Sequence, residues 1–529
     1  MKRTILYTAF MLSVFGLTAC SDDKYGDEPK DWAGTTAFFE SADEGGFSTY
    51  YNPSVGRCGD PMPFYDTKVG EFKVLYLQEY DINGTYNYHP IWGISTKDCA
   101  NYESLGEVLP TGTSPLEQDA ALGTGCCIYN EKDNLYYLYY TGHNPQCANT
   151  EVVMRATSSD FTHWTKDMLW TLKGTDFGYS PVDFRDPQIF KAEDGLYHMV
   201  ISSNQKFADF SSSDLKNWNH VGSFNMVWDR MCECPDVFKM GNYWYIIYSE
   251  GYRASWSRKV KYMMATTFEG LKACFNDPGA NWPKDGREGV LDSRAFYAGK
   301  TASNGTDRYI WGWCPFRTGA TIHEKNVNVG AGGEPNWSGA LVCHKLIQHE
   351  DGTLSVGDIP AIEAKYNKQQ TVAVKDVHGG SFNGTEGSLS GDDAYVLFNR
   401  LEAHNHISFT VTTSNNWDKF GVSLVRGTDS EQYYTMVVNP ENENTRKVNF
   451  EQEGKRGKGF IEGIDGYNFP RPSNNVYHID IYTDNSVMVM YINHTYAYTN
   501  RIYGIQKNCW SINNYGGNIK VSDLKVSQY

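Results

Sequence analysis

Short alternating segments rich in Tyr, Trp, Phe, Ile and Val recur along the N-terminal part of the chain. The five clearest segments lie at 72–80, 135–143, 196–203, 243–251 and 308–313. Each follows another apolar segment across a short polar turn, which is the pattern of paired antiparallel strands. Their spacing of roughly 45 to 65 residues is in the range of four-stranded propeller blades. The hydrophobic pattern therefore predicts five β-blades.

A second repeat follows three of these aromatic segments. It consists of a hydroxyl residue, an aspartate and then an aromatic residue, at 95–98 before Tyr102, 158–160 before Trp164 and 212–214 before Trp218. We interpret this repeat as the turn into the outer strand of a blade. Because one four-stranded unit cannot bury both of its faces, the units must stack radially on their neighbours. The sequence predicts a five-bladed β-propeller at 46–364.

The pattern changes in the C-terminal part of the chain. The blade signature ends near 337–341, and 352–364 has the composition of a connector. Beyond residue 365, Gly, Asn and Asp turns separate alternating strands, at 394–397, 406–412, 432–438 and 477–481, and 487–492 closes as a hairpin at Asn493-His494. These strands predict a β-sandwich at 365–529, so the whole protein is predicted to be all-β. The sandwich acts either as a structural brace or as an auxiliary carbohydrate-binding domain.

The N-terminus has the pattern of a bacterial lipoprotein. Two basic residues precede a short apolar run at 5–17, and Leu17-Thr18-Ala19-Cys20 resembles a lipobox. We therefore predict a signal peptide at 1–20, lipidation of Cys20 and a flexible tether at 21–45. Acidic residues after Cys20 resemble the surface-export signal of lipoproteins in the Bacteroides group. The predicted location is the cell envelope. The lipid on Cys20 would be the only anchor to the outer membrane, and the protein would be exposed at the cell surface.

Composition narrows the class of ligand. An aromatic content of 15% and 50 glycines among 529 residues fit an all-β protein with tight turns. A formal net charge of -16 argues against nucleic acid, whose phosphates would be repelled, and favours neutral or hydroxylated ligands. The chain has 12 cysteines, and without Cys20 the number is odd. Their spacing predicts neither a disulfide framework nor a metal site.

Three of the predicted inner strands begin with an acid that is followed by a proline within two residues. The acids are Asp60, Asp186 and Glu233, within 59–64, 183–190 and 232–238. Proline lacks a backbone donor and pushes its neighbour into extended geometry, so each acid is expected where a strand begins. The inner strands of a propeller line one channel, which would bring the three acids together at its mouth. They form a candidate active site, although each acid could instead only stabilise a turn.

A series of short motifs, in order along the chain, resembles glycoside hydrolase family 32. The motifs are Gly-Asp-Pro at 59–61, 92–96, 123–125, Phe-Arg-Asp-Pro at 184–187, Glu-Cys-Pro-Asp at 233–236, and 296–298 followed by 309–313. That family contains the β-fructofuranosidases: invertases, inulinases and levanases. The resemblance covers 56–364, and 477–504 is similar to the family's C-terminal sandwich. It implies retaining hydrolysis of fructosyl bonds in fructans, fructo-oligosaccharides or sucrose.

Roles for individual residues also follow from the resemblance. Asp60 would be the nucleophile, Asp186 the acid that holds sugar hydroxyls, and Glu233 the general acid/base. Such a mechanism needs no metal or organic cofactor, and it predicts that the carboxyl groups of Asp60 and Glu233 are about 5 to 5.5 Å apart. The sequence departs from the family at Gly59, where the common motif has an asparagine, and at Met62-Pro63, where it has Asn-Gly. A side-chain amide that would contact the sugar is therefore absent.

Four other residues are candidate substrate contacts. Arg185 could orient Asp186, bind a hydroxyl or form a structural ion pair. Gln78 could bind a sugar hydroxyl, and Trp92 and Trp313 could form apolar walls or belong to the blade core. Two other functions remain open at this stage: a propeller glycosidase of arabinose or xylose polymers, and a surface lipoprotein that binds glycans without cleaving them.

Overall fold

The structure is a computed structural model. It describes residues 49–79, 89–225, 232–250, 259–276, 289–315, 337–426, 432–440, 447–453, 465–502, 505–506 and 508–529. The predicted signal peptide, the tether and Cys20 lie outside the described residues. Within the described ranges, no helix is long and apolar enough to cross a membrane.

The N-terminal part consists of antiparallel sheets arranged as five blades. The strands of the first two blades are β1 Arg57–Asp66, β2 Glu71–Glu79, β3 Ile91–Thr96, β4 Glu103–Leu109, β5 Ala121–Asn130, β6 Leu135–His143, β7 Glu151–Ser158 and β8 Thr165–Lys166. The third and fourth blades contain β9 Arg185–Lys191, β10 Tyr197–Ser203, β11 Lys206–Ser212, β12 Asn219–Asn225, β13 Cys232–Met240, β14 Tyr243–Glu250 and β15 Val260–Ala265. The fifth contains β16 Tyr297–Ser303, β17 Arg308–Pro315, β18 Gly339–Gln348 and β19 Leu354–Gly357.

The inner strands close into a ring, as a propeller requires. Strands β1, β5, β9, β13 and β16 each contact the inner strands of the two neighbouring blades, and β16 meets β1. The fifth blade also joins the first through the pairs Cys58–Gly339 and Tyr51–Leu341. The predicted aromatic strands are β2, β6, β10, β14 and β17, so each is the second strand of its blade. The five-bladed propeller is therefore confirmed.

The fourth and fifth blades differ from the predicted pattern. The blade signature does not end near 337–341 and 352–364 is not all connector, because β18 and β19 are the last two strands of the fifth blade. In the fourth blade, Val290 pairs with Lys261 of β15 where a fourth strand would lie. A helix at Phe268–Asn276 packs beside this blade, and short helical turns lie at Gly174–Phe177 and Pro360–Glu363.

The repeated polar turns have the same structure in three blades. The hydroxyl oxygens of Thr96, Ser158 and Ser212 each accept a backbone N–H from three residues on, at 2.9 to 3.0 Å. The donating residues have left-handed backbone angles, with φ between 59° and 66°. This shared turn leads from the third strand of each blade to the fourth, as predicted.

The C-terminal part is a sandwich of two antiparallel sheets. Its strands are β20 Lys368–Gln370, β21 Val374–His378, β22 Gly380–Phe382, β23 Gly387–Ser390, β24 Ala394–Phe398, β25 His404–Thr413, β26 Phe420–Arg426, β27 Gln432–Pro440, β28 Lys447–Glu453, β29 Asp465–Pro470, β30 Val476–Asp484, β31 Val487–Ile492, β32 Tyr496–Arg501, β33 Cys509–Asn514 and β34 Asn518–Gln528. One sheet has the order β22-β23-β34-β25-β30-β31-β32, with β20 paired to β34, and the other has β21-β24-β33-β26-β27-β28-β29. Inward-facing aliphatic and aromatic side chains of both sheets form one core. The predicted hairpin is present, since Asn493 and His494 both have positive φ.

Buried polar contacts fix the sandwich against the propeller. Arg501 is 1% exposed, and its guanidinium donates to the carbonyls of Cys314 and Pro315 at the end of β17, each at 3.1 Å. Asp292 accepts a hydrogen bond from the backbone of Thr499 at 2.8 Å and contacts His344 Nε2 at 3.0 Å. Because such buried groups are stable only when paired, the two domains have one fixed arrangement.

Candidate active site

Every inner strand of the propeller begins with a β-bulge. In β1, the segment between Cys58 and Pro61 contains one residue more than the segment of β2 that it faces. The same extra residue occurs at the start of β5, β9, β13 and β16. A bulge bends its strand and changes the direction of a side chain. In the last three blades the bulge contains a non-glycine residue with positive φ: Asp186 at 60°, Cys234 at 50° and Ala298 at 54°. Such strained positions occur often at active sites.

The bulges bring the three predicted acids to one cavity. Asp60, Asp186 and Glu233 all line a space of about 500 Å³ at one mouth of the channel. Other lining residues include Glu79, His89, Thr124, His143, Glu151 and Trp337. This volume suits a small ligand or the end of a larger one. The structure thus places together three residues that are far apart in the sequence.

Two donors orient the carboxylate of Asp60. The indole Nε1 of Trp313 donates to Oδ1 at 2.8 Å, and the hydroxyl of Thr124 donates to Oδ2 at 2.8 Å. Trp313 is fully buried, so its ring cannot easily move. Hydrogen bonds to an ionised carboxylate are stronger than neutral ones. Asp60 is therefore held with both oxygens in defined positions at the cavity.

Asp186 is the most deeply buried of the three acids, at 3% exposure. Its backbone N–H donates to Thr141 at 3.0 Å, and its Oδ2 accepts the N–H of Cys234 at 2.9 Å. Burial raises the pKa of Asp186 to about 7, and the charges of Asp60 and Glu233 also raise it, against the lowering effects of Arg185 and of the Cys234 N–H. Asp186 therefore titrates close to neutral pH.

Glu233 is held by two side chains from other blades. Arg185 Nη2 donates to its Oε1 at 3.0 Å, and the hydroxyl of Tyr297 donates to its Oε2 at 2.7 Å. Each carboxylate oxygen thus has one fixed donor, while the side chain keeps 23% of its exposure at the cavity. This geometry leaves Glu233 accessible to a ligand.

Arg185 is the centre of a charged network. Its Nη1 contacts Asp183 at 2.5 Å and Glu151 at 3.1 Å, whereas the nearest contact to Asp186 is 3.9 Å. Burial alone would lower the pKa of Arg185, but Glu233 and the three other carboxylates hold it well above the usual value. The guanidinium is therefore a permanent cation, and it orients Glu233 more closely than Asp186.

Two predicted substrate contacts are corrected by the structure. Gln78 is fully buried and donates to the carbonyl of Val55 at 2.5 Å. Its neighbours Leu77 and Glu79 line the cavity, and because side chains alternate along a strand, Gln78 points to the other face of β2. Trp92 lies on the third strand of its blade, away from the channel, and packs against the core of the propeller. Trp313 was also predicted as a substrate contact, but its role is different, since it contacts Asp60 rather than forming a wall.

Trp337 and His89 form a wall that the sequence did not predict. Their rings stack with centroids 4.6 Å apart, and His89 Nε2 lies 3.1 Å from Glu79 Oε2. The ring of Trp337 also covers Gly59, where an added Cβ would lie 2.3 Å from Cη2. An asparagine at position 59 would require this ring to move. The departure from the family motif at Gly59 is therefore coupled to Trp337.

Groups with other chemistry lie away from the three acids. Among the described residues, Asp358, Asp480 and His494 have the spacing of metal ligands, but they lie where the connector meets the sandwich. His494 Nδ1 is already hydrogen-bonded to Asp358 at 2.8 Å, which raises the pKa of His494 to about 9. The eleven cysteines of the described segments are all free thiols, and ten of them are buried.

A five-bladed propeller with three carboxylates at one mouth, joined to a β-sandwich, defines a class of glycosidase. Residues 51–356 match the domain described as "Glycosyl hydrolases family 32 N-terminal domain", and residues 352–526 match "GH32, BT1760-like, C-terminal domain". The chain therefore belongs to glycoside hydrolase family 32. It is a glycoside hydrolase of the class that cleaves fructosyl bonds.

Characterised relatives share part of the sequence. The chain is 25% identical over 373 residues to a levanbiose-producing levanase of Bacillus subtilis (strain 168), covering 66% of each protein. It is 25% identical over 364 residues to the levanbiose-producing levanase of Geobacillus stearothermophilus, covering 64% of this chain and 84% of that enzyme. The chain thus spans about two thirds of the length of the Bacillus subtilis enzyme.

Solved structures share the fold over almost the whole chain. Fructan 1-exohydrolase IIa from Cichorium intybus superposes with a TM-score of 0.65 at 15% identity, covering 91% of this chain and 97% of that one. The Bombyx mori GH32 β-fructofuranosidase BmSUC1 gives a TM-score of 0.61 at 18% identity, covering 91% and 93%. These similarities confirm the predicted propeller and sandwich.

Proposed function

We propose that this protein is a retaining hydrolase of fructans, with levan as its first candidate substrate. One observation carries the proposal: three carboxylates from three blades line one cavity, and each is held by its own hydrogen-bond donors. Two of the relatives are named as levanases, which supports a fructose polymer as the substrate.

In the proposed first step, Asp60 acts as the nucleophile. One of its oxygens bonds to the anomeric carbon of the fructosyl unit, while Glu233 gives its proton to the departing glycosidic oxygen. The bond between carbon and leaving oxygen breaks, and a fructosyl ester of Asp60 forms. The hydrogen bonds from Trp313 and Thr124 keep Asp60 positioned for this attack.

In the second step, the same groups act in reverse. Glu233 removes a proton from water, the water oxygen bonds to the anomeric carbon, and the ester to Asp60 breaks. Asp186 accepts hydrogen bonds from sugar hydroxyls, which strengthen as positive charge develops on the ring. Arg185 and Tyr297 keep Glu233 in reach of the glycosidic oxygen throughout.

Product analysis on purified polysaccharides tests this function. The protein and its Asp60→Asn variant are incubated with levan, inulin, sucrose, arabinan and xylan, and the released sugars are separated and identified. We expect fructose or fructo-oligosaccharides from levan with the natural protein only. Activity confined to arabinan or xylan would contradict the proposal, and binding of levan without any hydrolysis would favour a glycan-binding protein.

The stereochemistry of the product gives a second test. NMR spectra recorded early in the reaction, before mutarotation of the released sugar, identify the anomer that forms first. We expect the anomeric configuration of the substrate to be retained, because a nucleophilic Asp60 requires two displacements. Initial inversion would mean that a water stands between the sugar and Asp60.

We infer in addition that Cys20 carries a lipid that anchors the enzyme at the cell surface. The lipobox-like segment 17–20 and the polar tether at 21–45 support this location. Cys20→Ala is expected to move the protein from the membrane fraction to the soluble fraction, and protease treatment of intact cells is expected to degrade the natural protein. Retention of Cys20→Ala in membranes would contradict the anchor.

A further inference from the structure

A second cavity lies at the opposite mouth of the propeller channel. Its volume is about 370 Å³, and it lies between the later residues of the inner strands β1, β5, β9, β13 and β16. It shares no lining residue with the cavity of the three acids. Lys300 separates the two cavities, since its buried ammonium group bonds the carbonyl of Gly125 at 2.8 Å and Gln188 Oε1 at 3.3 Å.

The charge of this second cavity is opposite to that of the protein. Arg308, Lys191 and Lys239 line it, against the single carboxylate of Asp236. The ammonium of Lys300 lies behind Gln188 and adds a further positive charge to the floor. Because the whole chain has a net charge of -16, such an excess of cations around one concave site is a local feature that attracts anions.

Arg308 is held in a fixed position at this cavity. Its Nη1 donates to the hydroxyl of Thr301 at 2.7 Å, and its guanidinium lies 4.0 Å from the ring centroid of Phe238. Thr301 in turn donates to Asp236 Oδ2 from its hydroxyl at 2.5 Å and from its backbone at 2.8 Å. Thr301 thus stands between the two charges. A preorganised guanidinium is well suited to bind the oxygens of a carboxylate or phosphate.

Trp244 also lines this cavity, and its side chain is 4% exposed. Among the described residues its indole Nε1 has no hydrogen-bond partner, but this atom has almost no accessible surface. The ring of Trp244 therefore forms a wall of the cavity, and its N–H is not counted as a ligand contact. Burial raises the pKa of Asp236 above its usual value, although Arg308 and the hydrogen bonds from Thr301 act in the opposite direction.

We propose that this second mouth binds a small anionic ligand that carries a phosphate or carboxylate group. Arg308 is the anchor for the anion, and Lys191 and Lys239 supply positive charge at the rim. The cavity volume is at the lower end of the range for small-molecule sites. This site is separate from the proposed hydrolysis and does not depend on it.

Calorimetric titration tests the site in the purified full-length protein. Inorganic phosphate and citrate are the probes for the two anion chemistries. We expect saturable binding of at least one of these anions. We expect two variants to weaken anion binding by about tenfold or more. One is the double substitution of Lys191 and Lys239 by Gln, and the other is Arg308→Gln.

A charge-matched variant separates a specific site from general attraction. Lys173 and Lys206 are also exposed and do not line this cavity, so their double substitution by Gln removes the same charge elsewhere. It should leave anion binding unchanged, and the Lys191/Lys239 variant should keep its hydrolytic rate. The proposal is overturned if neither anion binds, or if the control variant weakens binding as much as the other two. If Arg308→Gln fails to fold, the lysine variant still decides the outcome.

Discussion

The five blades begin with the same bulge but use it in two ways. In the first, third and fourth blades the bulge presents Asp60, Asp186 or Glu233 to the cavity. In the second and fifth blades, the bulge presents Thr124 and Tyr297, which donate to Asp60 and Glu233 at 2.8 and 2.7 Å. Three blades therefore supply the acids, and two supply groups that position them.

This difference shows how a repeated architecture can carry a single asymmetric site. The bulge is set by backbone geometry and occurs in every blade, so it decides where a side chain points. The residue type at that place decides whether the blade contributes chemistry or support. Changes in the acid-bearing blades should therefore remove the reaction, and changes in the supporting blades should only slow it.

The largest effect is expected at an acid-bearing blade. Glu233→Gln keeps the shape and the hydrogen bonds with Tyr297 but cannot donate a proton to a leaving oxygen. General acid catalysis contributes typically about 100- to 10,000-fold, so kcat on a fructan should fall by that amount while KM changes little. Initial rates on levan measure the effect.

The control for this substitution is a substrate with an activated leaving group, which needs little protonation. With such a substrate, the rate of the first step should be largely restored in the Glu233→Gln variant. A variant that hydrolyses levan at the natural rate would show that Glu233 is not the general acid.

A smaller effect is expected at a supporting blade. Thr124→Val removes the hydroxyl that donates to Asp60 and preserves the shape of the side chain. Hydrogen bonds to charged groups are worth about 1.5–3 kcal/mol, which corresponds to a fall in kcat of roughly 10- to 100-fold. Thr124→Ser keeps the hydroxyl and should retain most activity. Equal losses in both variants would mean that packing, and not the hydrogen bond, matters at this position.

Next in size is the effect of filling the space at Gly59. An alanine Cβ would lie 2.3 and 2.5 Å from two ring carbons of Trp337, so the ring must move. Overpacking of this kind typically costs about 1–3 kcal/mol of stability, and the displaced ring should also raise KM. Urea unfolding and steady-state kinetics measure the two effects.

A double-mutant cycle tests whether Trp337 is the cause. Trp337→Leu makes room for the alanine, so the combined variant should lose less stability than the sum of the single ones. Strict additivity would mean that Gly59 is needed for a reason other than the Trp337 ring.

Much of this molecule was predictable from its sequence, and the reason is repetition. The aromatic second strands and the Ser/Thr-x-Asp turns recur in several blades, so each copy supports the others. The three acids were found because a proline follows Asp60 and Asp186 directly and lies two residues after Glu233. Comparing all five strand starts would also have drawn attention to Thr124 and Tyr297, which lie in the same bulge without being acids.

The side chains that meet across blades were harder to predict. Gln78 lies on a strand that was predicted, but strand alternation turns it away from the cavity, and Trp92 lies on the next strand, further from the channel. The stack of His89 on Trp337 joins residues from different blades that no local pattern links. The blade signature was lost near 337–341 because β18 and β19 lack the aromatic repeat, although they complete the fifth blade.

The last predicted effect concerns the pH dependence of stability at Asp186, which changes by a modest amount over each pH unit. Burial raises its pKa to about 7 in the folded protein, whereas an unfolded aspartate titrates near pH 3.9. The folded state therefore holds this proton more tightly, and its stabilising contribution is fully present below about pH 3.9 and is lost as pH rises towards 7. Asp186→Asn has no such proton. The stability of this variant relative to the natural protein should therefore increase by roughly 1.4 kcal/mol per pH unit between pH 5 and 7, and level off above pH 7. Urea unfolding at pH 5, 6, 7 and 8 measures this difference.

Asp214→Asn is the control, because hydrogen bonds from the Asn217 backbone and other donors lower the pKa of Asp214. The difference in stability between this variant and the natural protein should stay flat over the same pH range. A flat difference for Asp186→Asn as well would mean that Asp186 is ionised in the folded protein over this whole pH range.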